Sequence, residues 1–259
     1  MAQKLQKCPR KIQPTAPMEF PFMKKSLVCL SVLASMLGAT AAHAEDAPAV
    51  TANVTLTTKY KYRGQDQSNI EKNVAPAIQG GFDVSYQGFY IGNWNSSIGL
   101  VPGTDIEMDL YGGYKGEIAP DFGFDVGVLR YQYPQGAALN TTEIYGALSW
   151  KFVSAKLSYN AGDRYFGLEE GRGTLYTDLS ANYEVVKGVT LNGHVGYTAL
   201  TSDTKALYPY KSYVDYKIGA TYDFGSGFSA AAAYVGANEK ESWGDGNKGR
   251  FIVSVTKAM

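Results

Sequence analysis

The sequence is short of cysteine, of histidine and of long apolar runs, and each shortage removes a class of protein. Cys8 and Cys29 are the only cysteines, and both lie early. The rest of the chain can form no disulfide and offers no thiolate ligand. His194 is the only histidine beyond His43. Structural zinc needs four ligands, mostly of these two types, so metal ligation is not indicated and nothing calls for a cofactor. Lysine plus arginine and aspartate plus glutamate both number 24, for a formal net charge of zero. That balance gives no electrostatic reason to expect nucleic acid as a partner. No apolar stretch reaches the roughly 18 residues that a membrane-crossing helix requires.

The early residues read as a leader. Met23-Lys24-Lys25 supplies a basic start, and 27–37 (LVCLSVLASML) is an apolar segment too short to span a bilayer. Ala42-His43-Ala44 then gives the small-x-small cleavage pattern. Cleavage is expected after Ala44, with residues 23–44 as signal peptide. Cys29 is no lipidation site on this reading, because Val28 stands where a small residue is needed. Residues 1–22 read as an extended n-region or an early-assigned start.

Tyrosine (20) and glycine (29) are plentiful, and the apolar residues alternate. In residues 50–62 the even positions are Val50, Ala52, Val54, Leu56, Thr58, Tyr60 and Tyr62. The odd positions are Thr51, Asn53, Thr55, Thr57, Lys59 and Lys61. Successive side chains of a strand point to opposite faces, so this is a ribbon with one apolar and one polar face. Further ribbons follow at 75–86, 89–97, 105–115, 122–133, 141–151, 153–160, 175–185, 189–200, 213–224, 228–236 and 250–259. In 89–97 both faces carry aromatics and the parity stays open.

The connections alternate in length. Long polar loops at 63–73, 98–104, 134–140, 161–174, 201–212 and 237–249 are separated by short turns. Strands of about ten residues with loops sorted this way are what a barrel inserted from one side of a membrane requires. The expected fold is all-β: a transmembrane antiparallel up-and-down barrel of about twelve strands, built from residues 45–259. Its apolar parity would meet lipid, with Tyr60, Tyr62, Tyr86, Tyr114, Trp150, Tyr159, Tyr183, Tyr197 and Phe224 as interfacial girdles. Its polar parity would line the lumen. The expected lining residues are Asp83, Glu107, Asp109, Asp125, Glu143, Lys156, Asp178, Glu184, His194, Asp215, Lys217 and Asp223. Isolated charges cannot sit in an apolar core, so either water or dense ion pairing must fill the lumen. Its acidic excess suggests a weak preference for cations.

Tyr60-Lys61-Tyr62-Arg63-Gly64 with Gln67 resembles the TorF family of outer-membrane porins. Pro76-Ala77-Ile78-Gln79-Gly80-Gly81-Phe82-Asp83 and Gly88-Phe89-Tyr90-Ile91-Gly92-Asn93-Trp94 continue the resemblance. So do Asp109-Leu110-Tyr111-Gly112-Gly113-Tyr114, Tyr131-Gln132-Tyr133-Pro134 and Glu143-Ile144-Tyr145-Gly146. The resemblance implies an outer-membrane barrel that passes small solutes. One departure is the end, Lys257-Ala258-Met259, where such barrels usually carry an aromatic residue for the assembly machinery.

Catalytic readings are weaker. His194 has serines nearby but no nucleophile motif, so a structural histidine is favoured over a barrel hydrolase. Residues 244–249 (GDGNKG) lack both the P-loop spacing and the closing glutamate of a calcium loop. The sequence therefore points to a bacterial outer-membrane porin without enzymatic chemistry, passing small hydrophilic solutes or ions by passive diffusion. Its partners would be outer-membrane lipid and the assembly machinery. A plugged structural barrel and an outer-membrane enzyme are the alternatives, and the oligomeric state stays open.

Overall fold

The computed structural model describes residues 47–99 and 103–259. The expected leader, its cleavage point after Ala44, and the tip of the loop at 98–104 lie outside the described residues.

Strand β1 is Ala49–Thr57. Two short strands follow, β2 (Lys61–Tyr62) and β3 (Gln65–Asp66). Then come β4 (Ala77–Tyr86), β5 (Phe89–Ser97), β6 (Ile106–Ala119), β7 (Phe122–Gln132), β8 (Thr141–Trp150) and β9 (Val153–Asn160). The chain finishes with β10 (Leu175–Val186), β11 (Val189–Ala199), β12 (Tyr213–Gly225), β13 (Phe228–Ala237) and β14 (Arg250–Ala258). All but β2 and β3 form one closed barrel of twelve strands, each antiparallel to its sequence neighbour. The barrel expected from the alternation is the fold found. β2 and β3 pair only with each other.

Closure joins the first strand to the last. β1 meets β14 over five register pairs, from Asn53↔Ala258 to Thr57↔Ser254. On its other side β1 meets β4 over nine, from Ala49↔Ser85 to Thr57↔Ala77. The seam is thus the shorter join, but it removes both sheet edges, leaving no row of unpaired backbone groups.

Five hairpins turn in two residues each, at 87–88, 120–121, 151–152, 187–188 and 226–227. Gln87-Gly88 and Ser226-Gly227 both have positive φ at the two central positions. That is the primed geometry whose twist matches the flanking strands. The other ends carry the long loops. Two of these contain short helices absent from the sequence reading, α1 (Ser202–Leu207), capped by the Thr201 hydroxyl, and α2 (Lys240–Trp243).

The outer surface is apolar all round. Val54, Phe82, Leu110, Val128, Ile144, Leu157, Leu179, Val195, Ile218 and Val255 are all exposed, Ile218 at 70%. Near the short turns aromatic rings gather into a belt. Phe89 lies 4.8 Å from Tyr114, Phe152 5.2 Å from Tyr183, and Tyr222 4.8 Å from Phe224. The open parity of 89–97 is resolved as well: Gly92, Trp94 and Ser96 are buried inside, while Phe89 and Ile91 face out.

Two girdle assignments need correction. Tyr60 and Tyr62 are not on the outer surface: they are 3% and 2% exposed. β1 ends at Thr57, and the chain then turns into the barrel instead of continuing the ribbon.

Candidate functional site

Among the described residues, charges collect out of water in the lumen, in two sets of contacts. One set of contacts is built from wall side chains alone. Asp178 of β10, His194 of β11 and Asp215 of β12 face inward side by side. Imidazole Nδ1 pairs with Asp178 Oδ2, and Nε2 lies 2.6 Å from Asp215 Oδ1. Both ring nitrogens are therefore engaged. Ser180 donates to Asp178 at 2.6 Å, not to the ring. A serine nucleophile needs an imidazole nitrogen to accept its proton, and this arrangement offers none.

On the facing wall Tyr111 donates to Asp83 at 2.7 Å, and Tyr90 donates to Asp125 at 2.5 Å while pairing with the Tyr145 hydroxyl. The Lys156 ammonium lies 3.8 Å from the Tyr145 ring centre, within cation–π range. Below them Asn192 donates to Asn182 at 2.7 Å and accepts from Thr221 at 2.8 Å.

The layer nearer the long loops is filled by an insert. Loop 58–76 folds inward, and residues 59–68 are all buried. Lys59 donates to the carbonyls of Asn69 and Lys72, and Lys61 to those of Gly246 and Lys248, all within 2.9 Å. Asp66 lies 3.5 Å from Lys59, 3.9 Å from Lys61 and 3.8 Å from Arg250 Nε. Gln65 donates to Asn247 at 2.8 Å. Burial pushes the Lys61 ammonium down to about 7, only partly opposed by Asp66. It lowers Lys59 and raises Asp66 for the same reason.

Arg63 and Gly64 bend the insert, with φ of 44° and 77°. A Cβ on Gly64 would sit 2.5 Å from the Gly236 carbonyl oxygen, so the bend needs glycine. The bend sends the Arg63 guanidinium across to β8, where it forms a two-pronged pair with Glu143 at 2.8 and 2.7 Å. Arg63 also donates to the Tyr165 hydroxyl at 2.8 Å and lies 3.9 Å from the Tyr176 ring centre. The Tyr62 hydroxyl meets that of Tyr131, and Phe166 packs edge-on against Tyr131 at 4.8 Å. Tyr165, Phe166 and Leu168 come from loop 161–174, so two long loops share the filling.

Among the residues expected to line the lumen, Asp83, Glu107, Asp109, Asp125, Glu143 and Asp215 are buried. Lys156, Asp178, His194 and Lys217 are half-buried in the same interior. Glu184 and Asp223 sit instead at the short-turn rim, where they accept from the backbone N–H groups of Gly188 and Gly225 at 2.8 Å. The sequence reading missed the inward tyrosines and Arg63. The first were partly signalled, since Tyr111 and Tyr145 share the parity of Asp109 and Glu143. Arg63 carried no such signal, because it follows the strand.

A family model described as "Bacterial protein of unknown function (Gcw_chp)" matches residues 41–258. No curated protein matches the chain by sequence. Among solved structures, the chain is similar to the KdgM porin (TM-score 0.53, 10% identity, 80% of this chain and 98% of that one). It is also similar to the KdgM porin in complex with disordered oligogalacturonate (TM-score 0.52, 10% identity, 80% and 98%). The NanC porin superposes with a TM-score of 0.50 at 12% identity, over 81% of this chain and 98% of that one. At these identities the likeness is one of fold.

Proposed function

We infer that this chain, which belongs to the family of bacterial proteins of unknown function called Gcw_chp, is an outer-membrane porin narrowed by its own first long loop. The carrying observation is the inversion of polarity, with large apolar side chains outside a closed barrel and carboxylates, lysines and tyrosines within. Only lipid suits such an exterior, since proteins in water rarely expose apolar patches on this scale. The porin-like fold and the resemblance of the first half to TorF porins support the same reading. Small hydrophilic solutes or ions would cross by diffusion, sorted by width and charge rather than by covalent chemistry. Cation preference would be weak. Lys59, Lys61, Arg63 and Arg250 bring positive charge into the lumen and offset most of the acidic excess of the wall.

A second reading, the plugged barrel, is favoured by one observation, the burial of residues 59–68. Planar-bilayer recording of the refolded mature chain decides between them. The porin reading expects steady unitary currents from the wild type. Currents that appear only after residues 61–66 are replaced by a short glycine-serine link would establish the plug.

A further inference from the structure

Glu107 and Asp109 lie two residues apart on β6, so both side chains enter the lumen on one face. They are 0% and 2% exposed, and none of their four carboxylate oxygens accepts a hydrogen bond of good geometry among the described residues, the Tyr60 and Tyr133 hydroxyls making only loose contact with Glu107. The nearby cations are committed elsewhere, Arg63 to Glu143 and Lys59, Lys61 and Arg250 to Asp66 and backbone carbonyls. Two phenols close the site from other segments, Tyr60 of the inserted loop and Tyr133 just beyond β7. Both are buried, and neither hydroxyl has a hydrogen bond of good geometry. Tyr133 follows Gln132, the register partner of Met108, so it stands across from Glu107, and both hydroxyls approach the Glu107 carboxylate.

Two adjacent carboxylates out of reach of water are untenable as bare charges. We propose that Glu107 and Asp109, with the phenol oxygens of Tyr60 and Tyr133, bind a calcium-type divalent cation that pins the inserted loop to β6. Every donor is a hard oxygen, which selects an oxygen-seeking ion over a transition metal. Two negative charges match a divalent ion. No third histidine, cysteine or carboxylate joins the group among the described residues. Carbonyls and water complete the shell, which suits calcium's variable six to eight oxygens better than the strict octahedron of magnesium. The proposal needs only the fold and holds whether or not the lumen conducts.

Terbium, a calcium surrogate that emits when a neighbouring aromatic ring is excited, reads the site directly. The refolded mature barrel in detergent is expected to give tyrosine-excited terbium emission that calcium displaces and potassium does not. Calcium is also expected to raise the midpoint of heat unfolding, and a chelator to lower it. The double substitution Glu107→Gln, Asp109→Asn keeps the shape of both side chains and is expected to abolish both effects. Absence of both in the wild type would overturn the proposal and assign protons to the pair. Persistence of both in the double variant would overturn it too, by placing the ion elsewhere. If the double variant does not refold, Tyr133→Phe serves: a several-fold weaker calcium displacement supports the site, and an unchanged one overturns it.

Discussion

One set of lumen contacts runs between wall strands: Asp178 to His194 to Asp215, Tyr111 to Asp83, Tyr90 to Asp125. In the layer nearer the long loops, the strongest contacts run from a loop to the wall, led by Arg63 to Glu143. Register fixes the first set, since strands already paired cannot move those side chains apart. Nothing in the sheet fixes the second, because residues 60–74 can leave without breaking the barrel ladder, which ends with Thr58 on Val253. The wall layer should therefore govern the barrel's resistance to unfolding, and the insert should govern its bore.

Arg63→Ala tests that division most severely. It strands the buried Glu143 carboxylate, and breaking such a pair costs about 3–5 kcal/mol. The expected outcome is a several-fold larger unitary conductance with little change in heat resistance. A large drop in heat resistance at unchanged conductance would reverse the roles assigned to the two layers. His194→Ala should do the opposite. Hydrogen bonds to charged groups contribute about 1.5–3 kcal/mol, discounted here because the ring is partly solvated. A lower unfolding midpoint in calorimetry is expected, with unitary conductance near wild type and a reversal potential shifted toward cations.

Gly64→Ala should resemble Arg63→Ala in kind but be milder. Forcing a side chain into that bend costs about 1–3 kcal/mol, so recordings should show intermittent rather than permanent widening. The smallest effect expected is that of pH. Lys61 titrates near 7 in the docked insert and near 10.5 once released. Between those values the released loop binds a proton that the docked loop does not. Docking therefore strengthens as pH rises from 7, and it levels off below 7. Lys59 acts in the same direction, and the raised Asp66 opposes it only on the acid side. Wide-bore openings should be rarer at pH 9 than at pH 7, and a higher frequency at pH 9 would contradict the assignment.

The wall was legible in the sequence, for a physical reason. A period of two written over about ten residues, as in Val50, Ala52, Val54 and Leu56, fixes both strand and face. The sorting of loop lengths fixes the closed, up-and-down order. The insert was not legible. Tyr60 and Tyr62 continue the even parity past Thr57, so alternation alone reads them as more strand. A polar segment such as 63–68 has the same composition whether it meets bulk water or a polar lumen. Arg63 could be placed only by knowing that Gly64 bends the chain toward Glu143, which lies 80 residues further on.

The short seam between β1 and β14 has a consequence for the order of assembly. The anchors of the insert, Asn247, the Lys248 carbonyl and Arg250, belong to the final loop and final strand. A nascent polypeptide lacking them is an open curtain of strands with two raw hems, its first loop moored on one side alone, by Arg63 to Glu143. The stopper is held on both sides only after the cylinder has been sewn shut.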